Sequence, residues 1–375
     1  MSTVINARSP YYIKQVADSG KTLQSVELNL FIYSGVKGTD KPPTATYTLT
    51  KTPLTSTANN YVVFEISELI RDYLYTEYYD EAQDAVWVEA DIDYTHTDET
   101  TDSNNTDYLA FDGFGYFEEG ANPRQTSTPM VLQSNHCINV VNGRDIRIPL
   151  FSEYEPTIQT EIPLGVWSLE SDYWQESEPT WDSVGVTQQI TDSDDSNDKI
   201  QYLIIDTENA LNGDTITITS TVGTPQTTTI TINVICEPKF EKYRAIFYNK
   251  FGALQSYWFT QKSTVTTSTK SEMYQRNTID FTGTPTYDVY KHNKQRFNVT
   301  SSQSIQLNTP LQGECLNEPL EQMIMSEYIW LEDSNSTAPV LIKTESIKRM
   351  TGVNDKMIRY TVDFEYAYNK INIVR

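Results

Sequence analysis

Between Asp214 and Ile235 the chain reads DTITITSTVGTPQTTTITINVI, with threonine and isoleucine alternating on both sides of Gly223-Thr224-Pro225-Gln226. A strand points successive side chains to opposite faces, so this spacing sends isoleucine to one side and threonine to the other. A helix, at about 3.6 residues per turn, would mix them. Two such runs around a Gly-Pro turn form a β-hairpin, and β-branched threonine suits its exposed face. The stretch SVELNLFIYSG follows the same rule, Val26, Leu28, Leu30 and Ile32 alternating with polar neighbours except Phe31. A chain written in period two folds as sheets, and each sheet buries its apolar face against a second layer. The expected fold is therefore mainly β, built of several sandwich-type modules with one or two short packed helices.

At 375 residues the chain exceeds what a single core usually supports, and three modules are expected. The first, residues 1–135, is a β-sandwich-like domain. Its strands YYIKQV, SVELNLFIYSG, TATYTLTK and AVWVEADIDY are joined by NYVVFEISELIRDYLY, which reads as a strand entering a short helix. Ser67 is the expected N-cap there, with Leu69, Ile70, Tyr73 and Leu74 on one face. YTHTDETTDSNNTD, at 94–107, has no periodicity and is expected as an exposed loop or hairpin tip. The second module, 136–238, is an acidic β-domain in which INVVNGRDIRIPLF forms a hairpin about Asn142-Gly143. The third, 239–375, opens with KYRAIFYNKFGALQSYWFT, two strands flanking Asn249–Gly252, and continues to the helix of NEPLEQMIMSEYIWLED. Pro319 is placed at the first helical position, with Leu320, Met323, Ile324 and Tyr328 on the apolar face. A turn at Asn354-Asp355 precedes the last strand.

The 38% apolar content is low, but 12% aromatic residues, 25 of them tyrosine, exclude a disordered chain. Lys and Arg total 28 against 51 Asp and Glu, a formal charge of −23, which repels phosphate backbones; no nucleic-acid partner is expected. Uniform acidity also makes free copies repel, so salt would favour their association by screening. The amino terminus has no apolar signal core, and nowhere do eighteen apolar residues run together, so synthesis in a cytoplasm and no membrane partner are expected. Cys137, Cys236 and Cys315 are few, odd in number and far apart, which points to reduced thiols.

Motifs of catalysis are missing. Asp192, Asp194, Ser196 and Asp198 have the odd-position oxygens of a calcium loop but lack its central glycine, and Leu203 stands where its bidentate glutamate would be. His96, His136 and His292 have no zinc spacing. No metal and no cofactor are expected. GVWSLESDYWQESEPTW mixes Trp167, Tyr173, Trp174 and Trp181 with Glu170, Asp172, Glu176 and Glu178, and Asp182 follows. Glycosidases need two carboxylates across a cleft, whereas these are sequence neighbours in a chain rich in acids throughout. Trp167, Tyr173, Trp174 and Trp181, with Tyr257 and Trp258 of the third module, are instead candidates for an interface or for stacking on sugar rings.

Taken together and in order, ARSPYYIK, FEISELIRDYL, CEPKFEKYRAIFYNKFGALQSYWF, NEPLEQMIMSEYIWLED and PVLIKTESIKRMTGVNDKMIRYTVDFEYAYN resemble a family of virion structural proteins of tailed bacteriophages. These occur in crAss-like phages of gut Bacteroidetes and in phages of related marine hosts. The resemblance covers the two ends of the chain and leaves out the acidic middle. It implies a non-enzymatic neck, tail or baseplate component, assembled in the host cytoplasm. Such a protein forms a ring with copies of itself and docks to other virion proteins. A receptor- or glycan-binding head fibre or adhesin is the alternative.

Overall fold

A computed structural model describes residues 2–371 except 54–59, 76–84, 124–127, 161–166, 171–187, 190–195, 209, 223–224, 236–238, 335, 345 and 349–357. Among the described residues strands hold 52% and helices 8%, so the architecture is mainly β, as period two requires. The chain forms two compact units. One holds Met1–Glu237, Ile246–Tyr257 and Cys315–Glu327; the other holds Pro238–Ala245, Trp258–Glu314 and Tyr328–Arg375. The expected first and second modules both lie in the first unit, and the third is shared between the two.

The first unit begins with a five-stranded sheet in the order Thr3–Asn6, Thr101–Phe111, Ala85–His96, Leu23–Tyr33, Tyr47–Lys51. Val26, Leu28 and Leu30 pair across the sheet with Tyr94, Ile92 and Ala90, and all six are buried on one face. That face is covered by the two-stranded sheet Tyr12–Val16 with Tyr61–Glu65 and by the helix Ser67–Arg71, whose Ile13, Val62, Phe64 and Ile70 join the same core. Ser67 is not the N-cap. Ile66 holds that position, and the Ser67 amide and hydroxyl both donate to the Glu65 carboxylate, which captures them two residues away. Residues 94–107 are the end of a hairpin, the second of the two expected forms: the strands run through them, the turn is confined to 97–100, Thr101–Thr106 are exposed, and Tyr94 and His96 are buried.

The rest of the first unit carries two further sheets. One has the order Gln188–Gln189, Thr157–Thr160, Thr215–Ser220, Gln226–Ile235, Cys137–Val141; the other has Trp167–Glu170, Ile200–Ile205, Ile146–Phe151. The Thr-Ile hairpin forms in the register its alternation dictates, with Ile216 opposite Ile230 and both fully buried. Asn142-Gly143 does turn the chain, and Gly143 has φ +72°. No hairpin results, because Cys137–Val141 pairs in parallel with Gln226–Ile235 while Ile146–Phe151 pairs with Ile200–Ile205. The turn is a corner between two sheets.

Cys137 and Cys315 are joined by a disulfide, their Cα atoms 6.3 Å apart, which corrects the expectation of reduced thiols. A separation of 178 residues hid the pair, since only folding brings Cys315–Glu327 into the unit that holds Cys137. The helix Asn317–Met325 follows a 3-10 turn at Glu314–Leu316, so it starts two residues before Pro319. Pro319 is still among the four positions whose amide has no helical partner, and the ring costs nothing there. Tyr328 lies beyond the helix and precedes the strand Ile329–Glu332.

Arg8 and Asp112 form a two-pronged ion pair in the first unit, Nε–Oδ1 2.8 Å and Nη2–Oδ2 2.5 Å, with both side chains under a tenth exposed. Arg8→Met strands the carboxylate away from water and is expected to lower stability by about 3–5 kcal/mol. Chemical denaturation checks this, and the double variant with Asp112→Leu should recover most of the loss. Equal loss in the double variant would show that arginine acts there by packing alone.

In the second unit the strands Ile329–Glu332, Thr337–Ile342, Thr361–Tyr366, Lys294–Asn308 and Thr264–Gln275 follow one another in one sheet. Arg244 is buried against Glu332, Nη2–Oε2 2.6 Å, with its guanidinium 5.4 Å from the Trp258 ring centre. Burial, with a hydrogen bond to Glu241, raises the Tyr243 phenol to about 12.

Candidate functional site

Tyr257 and Trp258 are buried, at 4% and 5% exposure, and cannot present their rings to a sugar. Tyr173, Trp174 and Trp181 lie outside the described residues; the backbone of Trp167 begins the strand Trp167–Glu170. The six aromatic candidates are thus not assembled into one surface among the described residues. The reason for Trp258 is local: in the run Leu254–Phe259 all but Ser256 are buried, so both faces are covered where period two suggested only one.

A cluster absent from any sequence spacing surrounds His96. The imidazole is fully buried, with Nδ1 3.3 Å from Thr100 Oγ1, Nε2 3.7 Å from Asp18 Oδ2 and Nδ1 3.9 Å from Asp102 Oδ2. Thr100 donates to Asp98, leaving its oxygen to accept from the ring. The Lys21 ammonium stands 3.5 Å from Asp102 and 4.0 Å from Asp18 and donates to the same threonine oxygen. Each carboxylate approaches a different ring nitrogen, and Lys21 stands within ion-pair distance of both. Asp18, His96 and Asp102 each bring one ligand atom within 4.8 Å of the others, and Lys21 already pairs with both carboxylates, so the arrangement is an ion-pair cluster about the ring.

The feature that departs most from a closed β-protein is an arm. Thr264–Gln275 pairs antiparallel with Lys294–Asn308 over its whole length, but only Ser304–Asn308 also pairs with Thr361–Tyr366. From Thr267 onward the ribbon has two strands and no third among the described residues. Nine residues, Thr267–Gln275, at about 3.3 Å each carry it roughly 30 Å, and the short pair Ile279–Asp280 with Thr286–Tyr287 continues it. Every residue from 264 to 298 except Thr278 is exposed. A bulge at Lys270/Glu272 gives the second strand an extra residue, and Asn298 takes it up at φ +50°, a conformation asparagine tolerates.

The arm's chemistry differs from that of the whole chain. Between Thr264 and Phe297 five Lys and Arg face three Asp and Glu, in a protein of net charge −23. Lys270, Arg276, Lys291, Lys294 and Arg296 form no ion pair among the described residues. Met273, Phe281, Tyr287, Val289, Tyr290 and Phe297 are all exposed, Tyr290 at 90% and Val289 at 76%. Residues paired across the ribbon share a face, so Met273, Gln275, Lys294 and Arg296 form a cationic side. Glu272, Tyr274 and Phe297 form the other, where the two rings meet edge to face at 5.5 Å.

Sequence reading passed over this segment because its threonine-rich strands carry no apolar alternation. The signal present was compositional: a run of basic residues in an acidic chain, interleaved with Tyr, Phe and Met. No protein-family model matches the chain, and no curated protein does. No helix among the described residues is long and apolar enough to cross a membrane.

Proposed function

We propose that the protein is a non-enzymatic structural component of a tailed-phage virion, a subunit that forms a ring in the neck, tail or baseplate by self-association and docks to other virion proteins. The observation that carries this reading is the arm. A two-stranded ribbon is marginal by itself in water, and exposed rings and aliphatic groups along it are covered only when a neighbour lies against them. A subunit built to be completed by its neighbours has such a part; a self-contained enzyme does not need one. The Cys137–Cys315 bond supports the same reading, since disulfides persist on virion surfaces and in other oxidising surroundings. So does the order of sequence segments shared in kind with phage structural proteins. Assembly takes place in the host cytoplasm, without cofactor, metal, nucleic acid or membrane.

Cross-linking with mass spectrometry on purified particles tests this. The expected result is the protein in the virion, linked to copies of itself and to at least one other structural protein. Absence from particles, or links only to host-cell proteins, overturns it and favours the receptor- or glycan-binding alternative.

A further inference from the structure

We propose that the cationic side of the arm docks on the outward face of the N-terminal sheet of a second copy of this chain, with Lys294 and Arg296 against Glu27 and Asp93. The inference deepens the self-association just proposed and rests on it. Its acceptor is defined by an electrostatic oddity. In the register of Leu23–Tyr33 with Ala85–His96, Glu27 lies directly opposite Asp93, on the face away from the core. Like charges placed directly across a strand pair repel and destabilise it.

Among the described residues no cation relieves that pair, and only the Asn29 amide, at 3.4 Å, donates to Glu27. Neither Glu27 nor Asp93 has a lysine or arginine within ion-pair distance among the described residues, whereas nearby Asp91 and Glu89 do. Lys41 Nζ stands 3.3 Å from Asp91 and 2.7 Å from Glu89. Burial alone would raise the Glu89 carboxyl, but hydrogen bonds from Lys41 and Tyr33 outweigh it and hold the group below its ordinary value. The sheet thus neutralises one end of its acidic face and leaves the other open. At the open end lies a shallow groove of about 620 Å³, lined by exposed Glu27, Thr50, Asp93, Thr101 and Ser103 and also by Asp102, which Lys21 pairs at 3.5 Å.

The spacings agree. Lys294 and Arg296, two apart on one strand, project the same way about 6.6–7 Å apart, and directly opposed cross-strand residues stand about 5 Å apart. Two flexible cationic side chains reach two fixed carboxylates at that separation. Arm and groove are different patches, so each copy gives one and receives one. Such a head-to-tail contact builds a ring when its rotation closes.

The salt response distinguishes this contact from the behaviour of net charge. Repulsion between uniformly acidic copies would make salt favour association; an arm held by ion pairs makes salt weaken it. The experiment mixes full-length protein grown on light and on heavy nitrogen and treats it with a carbodiimide, which joins amines to carboxylates in direct contact. At low salt the expected product is a mixed-label peptide pair joining Lys294 to Glu27 or Asp93, with its yield falling as salt rises. Because replacing Lys294 removes the reacting amine, association is read separately by sedimentation: Lys294→Glu with Arg296→Glu, at exposed positions, should weaken low-salt association about tenfold or more. Mixing that variant with Glu27→Lys, Asp93→Lys protein should restore the association. No mixed-label link at low salt, or association unchanged by the arm substitutions, overturns the docking. Copies that still neighbour each other in purified particles after such a result would leave the ring reading standing and place its contact elsewhere.

Discussion

Gly252→Val is expected to lower the stability of the first unit by about 3 kcal/mol or more, through two causes that add. Gly252 has φ +77°, where a β-branched residue is strained by about 1–3 kcal/mol. A Cβ there would also stand 2.9 Å from the Asp112 carbonyl carbon and 3.0 Å from the Asp112 and Gly113 amide nitrogens. These are backbone atoms, and they cannot swing aside. Phe114 N donates to Lys250 O at 2.9 Å, and Arg8 holds Asp112 from the other side. Asn249 fixes the turn from within: its Oδ1 accepts from Phe251 N at 2.8 Å and Ala253 N at 3.2 Å, and its Nδ2 donates to Leu132 O at 2.7 Å. Gly283→Ala is the control, since its added Cβ meets nothing within 4 Å and its backbone is not in the left-handed region. Thermal unfolding of the two variants should separate them clearly; equal midpoints would remove the docked turn.

Removing the disulfide is expected to cost about as much or more. A bond closing 178 residues restricts the unfolded chain by about 5 kcal/mol on a chain-entropy account, with about 2–5 kcal/mol usual for loss of a native bond. The stability of Cys137→Ser with Cys315→Ser, compared by denaturant unfolding with the parent protein, gives the size. A thiol count gives the pairing: protein from an oxidising source, unfolded without reductant, should show a single reactive cysteine, Cys236. Three reactive thiols would exclude the bond. Because the bond ties Cys315–Glu327 into the unit of Cys137, protection of that segment from hydrogen exchange should fall most on reduction.

Strands were legible wherever period two was strong. Val26, Leu28 and Leu30 on one face, Ile216 opposite Ile230, and the left-handed Gly252 after Asn249 all follow from local spacing. Pairing was less so. Asn142-Gly143 has the chemistry of a hairpin turn, yet its strands go to different sheets, because partners far along the chain offer them better-matched faces. The His96 cluster gathers Asp18, Lys21, Thr100 and Asp102 from strand ends that only the sheet brings together, and no spacing rule could have named it.

The arm marks the boundary most sharply. Its strands were invisible to a method that looks for an apolar face, since an arm exposed on both sides has none until a neighbour supplies it. By itself, then, the sequence determined the period of the backbone, the turn glycines and the acidity, properties settled within a few residues or by composition. Tertiary structure decided which strands pair, which cysteines meet, and which charges are left without a partner. Those depend on contacts between segments tens to hundreds of residues apart, and a linear pattern does not encode which of many compatible faces comes to lie against which.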